Sequence, residues 1–378
     1  MQYRALVLAI VILLLFPNLV MADPPTQDGG GGTIVASGFN GPQGITIDDE
    51  GNLWVIESGL GGEEDIQYIS METGQPFTTH MGTTARIVMV EPDGEQTEVA
   101  VLPSIAASDM EMVGGARLTW LDGELYVTSG GWTGGVGDAP NLTGTVVQIE
   151  DNTITQVADM WAYENDHNLD GMVIETHPYG ITVGPDGWLW IADAGANTLM
   201  RVNPDSGEIE HVATFEGLPI TMPNPARNNA METDPVPTAV AFDEDGNTYV
   251  SLLSGFPFIP GSAKVLLVTP DGEISDYATG LTMLTDLQHG PDGELYAVQF
   301  GMFTEQGPLP DAGSIVRIHE GDASEVLVSG LSFPTSITFD SEGNAFVTIN
   351  GLGAPGSGAV VRFDQLTDMA GDSITASE

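Results

Sequence analysis

The chain contains no cysteine among its 378 residues, so no disulfide can staple it and no thiol chemistry is open to it. A chain of this length buries a large core without such help. Basic residues are nearly as scarce, 8 Lys and Arg against 54 Asp and Glu, and Lys264 is the single lysine. A formal net charge of −46 repels phosphate and anionic headgroups, which excludes nucleic acid and anionic membrane surfaces as partners. The acidic residues are scattered through turns and strand faces instead of forming blocks, so they read as a solvated coat. No helical period persists beyond the first residues. No Gly-x-Ser-x-Gly elbow, His-Glu-x-x-His or P-loop is present, and the tetraglycine at 29–32 reads as a linker.

The apolar run from Ala5 to Phe16, followed by Pro17 and by small residues ahead of Asp23, has the form of a cleaved Sec-type signal peptide over residues 1–22. An uncleaved anchor is the alternative, because residues 5–22 approach spanning length. Export to a secreted or periplasmic location is the expectation, with a flexible linker at 23–32, one folded domain at 33–366, a tail at 367–378 and a monomeric state.

One phrase organises that domain. PYGITVGPDGWLWIADAGAN at 178–197 reads as a buried strand, a tight acidic turn, a second strand and an exit loop. The same phrase recurs as PQGITIDDEGNLWV (42–55), GARLTWLDGELYV (115–127), PTAVAFDEDGNTYV (237–250), LTDLQHGPDGELYA (284–297) and PTSITFDSEGNAFV (334–347). Recurrence at roughly 50 residues means stacked supersecondary units. Between the copies lies a second strand pair joined by a short turn, as at 86–90 with 96–102. Four antiparallel strands per unit, repeated six times, predict an all-β fold: a six-bladed β-propeller. The segment TIVASG (33–38) has no partner before it and matches VLVSG (326–330), so it is expected to close the ring as the outermost strand of the last blade.

Blade geometry then sorts the loops. The turns within each strand pair are uniformly short, whereas every long insertion (58–84, 129–144, 161–176, 217–236, 255–262, 302–313) falls on the opposite face. Long loops on one face of a rigid scaffold mark the functional face. The acidic turns, such as 243–247, lack the ligand run of an EF-hand and sit where hairpins are needed.

Polar residues where strands meet the loop-rich face should ring the central channel: Glu57, Ser129, Asp193, Ser254, Gln299 and Asn350 on leaving, and Gln43, Arg117, Tyr179, Thr238, Asp286 and Thr335 on entering. The carboxylates Glu57, Asp193 and Asp286 are the candidates for an axial metal or catalytic site, holding one divalent cation (Ca²⁺, Mg²⁺ or Zn²⁺) or supplying a general base. The alternative is a polar ring that only hydrates the channel. Asn197 in the exit loop and the aromatic residues Trp132, Trp161, Phe256 and Phe258 in the neighbouring loops are candidates for holding a planar or apolar ligand, or else for packing the loops together. His177 and His167, ten residues apart, are weak evidence for a transition metal.

Segments 34–44, 55–59, 162–171 (AYENDHNLDG), 178–180, 192–202 (ADAGANTLMRV), 236–240 and 253–258 (LSGFPF) together resemble the ScyD/ScyE family of exported propellers. That family is related in fold to NHL-repeat and SMP-30/gluconolactonase-like proteins. The resemblance covers 33 to about 363 and implies a late, extracytoplasmic step of secondary metabolism, of the scytonemin type, for some members. Gly114-Gly115-Ala116 departs from the family's Gly-Pro-His, so a role resting on that histidine does not transfer. Two functions remain open: a propeller that binds a small, including aromatic, molecule or a protein partner on the loop-rich face, or a metal-assisted hydrolase or lyase of the lactonase kind.

Overall fold

The computed structural model describes residues 30–69, 75–108, 111–224, 227, 229–304, 306–321 and 323–373. The expected signal peptide and residues 23–29 of the linker lie outside the described residues. Among those described, six antiparallel sheets carry at least four strands each. The first holds Pro42–Ile47, Leu53–Glu57, Pro76–Val90 and Gln96–Ala106 in meander order. The second (Gly115–Leu121 to Thr153–Asp159), third (Pro178–Val183 to Ile209–Thr214) and fourth (Pro237–Phe242 to Ile274–Leu281) repeat that order. The fifth runs from Leu284–His289 to Glu325–Leu331.

The sixth sheet is composite. Its inner strands are Ser336–Phe339, Ala345–Ile349 and Gly358–Phe363, and its outermost strand is Thr33–Phe39, paired antiparallel with Gly358–Phe363. The tail differs from expectation: Leu366–Asp368 forms a 3₁₀ turn, and Asp372–Ser373 adds a fifth strand to the fifth sheet at Glu325–Val326.

The apolar residues lie between sheets. Ile56, Ile87 and Leu102 of the first meet Leu118, Val127 and Val147 of the second. Corresponding clusters join second to third, third to fourth, fourth to fifth and fifth to sixth. Phe39, Phe346 and Val360 of the sixth close back onto Val55, Val88 and Val90 of the first. Removing this area from water is the main stabilising term, roughly 25 cal/mol per Å². Hydroxyl-to-carbonyl bonds near the axis repeat the circuit, from Thr238 to Leu284 O (2.8 Å), Thr285 to Pro334 O (3.3 Å) and Thr335 to Pro42 O (2.7 Å). The innermost strands approach so closely that a Cβ on Gly44 would lie 2.6 Å from Ala116 O, and one on Gly180 2.6 Å from Thr238 O. Only glycine fits at those two places. The fold is a β-propeller.

The short turns explain much of the acidity. Asp48 accepts from the amides of Glu50 and Asn52 (3.0 and 2.8 Å), from Asn52 Nδ2 (2.9 Å) and from Trp54 Nε1 (2.8 Å). Asp243 makes the same set with Asp245, Asn247 and Tyr249. Asp340 clamps Glu342 and Asn344 likewise. Burial pushes such carboxyls up, but the converging donors outweigh it and hold Asp48, Asp186 and Asp243 below the usual carboxylate range.

Candidate functional site

The opposite face carries the insertions as separate small elements. They include a ribbon of Trp132–Thr133 with Glu175–Thr176, helix α1 (Met160–His167) and a hairpin of Leu218–Asn224 with Ala230–Thr233. The extended run from Glu175 to Gly180 descends from this layer into the channel mouth. Its burial alternates: Thr176, Pro178 and Gly180 are buried, while Glu175, His177 and Tyr179 are only partly buried along one stripe. His177 packs edge-on against Tyr179 at 5.6 Å, and the Tyr179 hydroxyl donates to Gln43 Oε1 at 3.1 Å. Gln43 Nε2 reaches across to Gly351 O at 3.1 Å.

Beneath this stripe the axis is plugged by Arg117. Its Nη2 donates to Thr285 O (2.6 Å) and Thr335 O (2.7 Å), its Nη1 to Gln43 O and Ala116 O, and its guanidinium lies 4.4 Å under the Tyr179 ring. One buried cation thus gathers carbonyls from four sheets. Below it, a cavity of about 310 Å³ opens toward the short-turn face, floored by Arg117 and Asp286 and walled by Thr119, Thr182 and Gln288.

Electrostatics set the stripe apart from the turns. Burial pushes the Glu175 carboxyl up, and the negative charges of Asp234, Asp193, Asp170 and Glu111 add to this, bringing it to about 8. Burial pushes His177 down, helped by the Arg117 charge, to about 4. At neutral pH the first is a carboxylic acid and the second a neutral imidazole.

The three axial carboxylates do not form the shared centre expected of them. Glu57 is buried in a two-point pair with Arg86 (2.8 and 2.6 Å) and also accepts from Asn40 N at 3.0 Å. Asp193 accepts from Thr176 Oγ1 and from the amides of His177, Gly195 and Ala196 at 2.7, 3.1 and 3.0 Å. Asp286 sits one residue deeper than Gln43: it pairs with Val298 as Gly44 pairs with Ile56, while Thr285 takes the bulge position. Its carboxylate faces the sixth sheet, accepting from Ser336 Oγ (2.6 Å) and Ile337 N (2.9 Å). Each is committed to its own network, and among the described residues no three Asp, Glu or His side chains stand as metal ligands. An axial divalent cation does not fit this donor set.

Other expected ligand residues are also structural. Asn197 is a buried staple in the left-handed region (φ 56°), donating to Asp170 Oδ2 (2.8 Å) and accepting from Val236 N (3.3 Å). Asn350, also left-handed, ties its loop through Ser357 O at 3.0 Å. Gln299 accepts from Thr282 N (2.7 Å) and donates to Ser314 Oγ (2.8 Å). Trp132 is buried against Tyr68 at 5.7 Å within the loop layer. Trp161 packs against that layer and lines a separate cavity of about 390 Å³ beside α1.

Phe256 and Phe258 differ: they end a row of rings. Phe333 stacks on Phe300 (5.5 Å), Phe300 on Phe303 (6.3 Å), Phe303 meets Phe258 (4.7 Å), and Phe258 meets Phe256 (6.1 Å), which is 74% exposed. Phe333 begins at the mouth, since its carbonyl accepts from Gly351 N and Gly351 O accepts from Gln43. The sequence reading missed Phe300, Phe303, Phe333 and Glu175. The loop phrases 299–304 and 332–334 carried the aromatic signal, whereas the acidity of Glu175 depends on distant neighbours.

No family model matches the chain. A gluconolactonase from Zymomonas mobilis is similar, 24% identical over 195 residues, which is 48% of this chain and 51% of that protein. The chain therefore spans about half the length of that curated relative. Among solved structures, the PQQ-bound aldose sugar dehydrogenase of Streptomyces coelicolor superposes with a TM-score of 0.50 at 12% identity, covering 88% of this chain and 96% of that one. A luciferin-regenerating enzyme also superposes with a TM-score of 0.50, at 11% identity, over 90% and 97% of the two chains. These likenesses show the propeller fold.

Proposed function

We propose that this is an exported propeller enzyme of the hydrolase or lyase kind, working on a cyclic ester or similar carbonyl substrate at the loop-rich mouth. The observation that carries the reading is the stripe Glu175–His177–Tyr179, alternate residues on one partly buried edge of the run into the channel mouth, with Glu175 pushed up toward an acid and His177 pushed down toward a base. In ring opening, His177 takes a proton from the attacking water as its oxygen bonds to the carbonyl carbon. Glu175 then gives its proton to the departing ring oxygen, so one water adds across one C–O bond. Solvent exchange restores both groups. The row Phe333–Phe300–Phe303–Phe258 would seat an apolar or aromatic part of the substrate. The similarity to a gluconolactonase supports this class without naming the substrate. Kinship with ScyD/ScyE proteins, export and a monomeric state belong to the same proposal.

The test is turnover of a panel of lactones and aryl esters by wild type, Glu175→Gln and His177→Ala. The expected result is activity that falls by about 10²-fold or more in either variant. Its pH profile should be level between about 4 and 8, falling below as His177 is protonated and above as Glu175 ionises. Unchanged rates in both variants would remove the stripe from the chemistry. A second reading, a binding propeller, is favoured by the exposed end of the phenylalanine row at Phe256. It predicts no turnover, with aromatic ligands raising the melting temperature of wild type more than that of Phe258→Ala.

A further inference from the structure

The cavity beneath Arg117 is bordered by polar groups that the fold leaves unpaired. Arg117 is 5% exposed and commits both terminal nitrogens to carbonyls of the ring, yet its third nitrogen, Nε, has no hydrogen-bond partner. Asp286 Oδ1 stands 3.9 Å from that nitrogen, beyond hydrogen-bond reach, and has one donor of its own, Leu287 N at 2.9 Å. Both side chains border the cavity, and so does His289. Nδ1 of His289 lies 3.1 Å from Gly293 O, and because a carbonyl only accepts, Nδ1 carries the proton. Nε2 of the neutral ring is then an acceptor, and it too is buried without a partner. An unpaired donor and an unpaired acceptor thus belong to the lining of one cavity of about 310 Å³, a volume within the range of small-molecule sites.

The wall supplies groups that both donate and accept. Thr119, Thr182 and Gln288 hold the same register position on the innermost strands of three sheets, opposite Tyr126, Trp190 and Tyr296, and all three line the cavity. Val183 and Phe242 add apolar surface. Charge narrows the choice of occupant. On that face the inner hairpin of each large sheet carries an aspartate (Asp48, Asp122, Asp186, Asp243, Asp292 and Asp340), and this ring repels anions. The Arg117 guanidinium in the floor repels cations, and no three Asp, Glu or His side chains among the described residues stand as metal ligands. What remains is a neutral molecule rich in hydroxyls. We propose that the cavity binds one small neutral polyol, entering from the short-turn face. One hydroxyl accepts from Arg117 Nε and donates to Asp286 Oδ1, a second donates to His289 Nε2, and the threonines and Gln288 hold the others. Arg117 separates this site from the stripe Glu175–His177–Tyr179, so the inference does not rest on the catalytic reading.

The experiment titrates the full-length protein with glycerol, myo-inositol and glucose, by calorimetry and by melting, with sodium acetate and choline chloride at matched ionic strength as charged counterparts. Wild type should take up one molecule per chain of at least one of the three polyols. Excluded polyols stabilise any protein in proportion to their concentration, so only a rise in melting temperature that saturates counts as binding. His289→Phe keeps a ring beside Tyr249 but removes the acceptor, and Thr182→Val removes one hydroxyl from the wall. Each should weaken binding about two- to tenfold. The proposal is overturned if none of the three polyols gives a saturable heat or melting shift, which leaves a cavity that holds water only. It is overturned equally if both variants bind as tightly as wild type, which places the polyol elsewhere, or if acetate or choline binds as tightly as the polyols. Should His289→Phe fail to fold, the Thr182→Val titration decides by the same criteria.

Discussion

The two faces of the propeller use carboxylates in opposite ways. On the short-turn face Asp48, Asp186 and Asp243 are each met by several donors around their own hairpin and are held low. On the loop-rich face Glu164 is buried and Glu175 partly buried among other carboxylates with few donors, and each is pushed up to about 8, desolvation being the largest cause. The residue type is the same. What differs is whether the backbone nearby turns its N–H groups toward the carboxylate. A short hairpin turn of this kind does so as a matter of geometry, whereas a long insertion packed on its neighbour brings side chains together without that supply. The first arrangement builds the fold, and the second holds carboxyls in the protonated form at neutral pH.

The sharpest way to break the comparison is to remove what separates the faces. Arg117 holds the axis shut between the stripe above and the cavity below. Arg117→Ala strips the donor from the carbonyls of Gln43, Ala116, Thr285 and Thr335 in a desolvated setting. The expected loss is about 3–5 kcal/mol in urea unfolding. A loss below about 1 kcal/mol would mean that water reaches those carbonyls and that the axis is an open channel.

The next effect is one of sign. The folded-state pKa of Glu175 is raised, so its contribution is complete below the unfolded value and is lost as pH rises toward about 8. His177 is depressed to about 4, so its contribution is gained as pH rises from there to its unfolded value near 6.5. Between pH 6.5 and 8 only the carboxyl acts, and the loop layer should lose about 1 kcal/mol of local stability. The turn carboxylates are depressed, so their contribution disappears only in acid, below about pH 4. Amide exchange at 170–177 should therefore quicken toward pH 8 relative to Glu175→Gln, while exchange at the turns keeps its ordinary pH dependence. Equal behaviour of the two regions would erase the distinction.

The same contrast explains what could be read from the chain. Hairpin turns announce themselves locally, because Asp, Gly and the following aromatic supply both halves of each bond. That is why the repeat, its strand order and the closing role of Thr33–Phe39 were legible. Asp286 was misplaced because it was set level with Gln43 and Tyr179, whereas in the aligned phrases LTD, PQG and PYG it matches Gly44 and Gly180, one residue past the bulge that all three share. Glu57 looked free because Arg86, its partner, lies 29 positions away across a long insertion. Glu175 was passed over because nothing in the sequence near it says that Asp234 and Glu111 will face it. Local donors leave a sequence signature, and packing between insertions does not.

The smallest effect tests the turn motif itself. Asp243→Ala leaves the fourth sheet's core untouched and removes only the bonds to Asp245 N, Asn247 N, Asn247 Nδ2 and Tyr249 OH. Water can reach most of these donors, so each bond is worth a fraction of its buried counterpart, and the expected loss is about 1 kcal/mol. Asp193→Ala removes a similar number of bonds from a fully buried carboxylate whose donors would be left without water, and should cost about 3 kcal/mol. Thermal melts of the two variants side by side measure that ratio. If Asp243→Ala proves as costly as Asp193→Ala, the turns are structural centres in their own right. The difference between the faces would then lie in charge alone and not in the supply of donors.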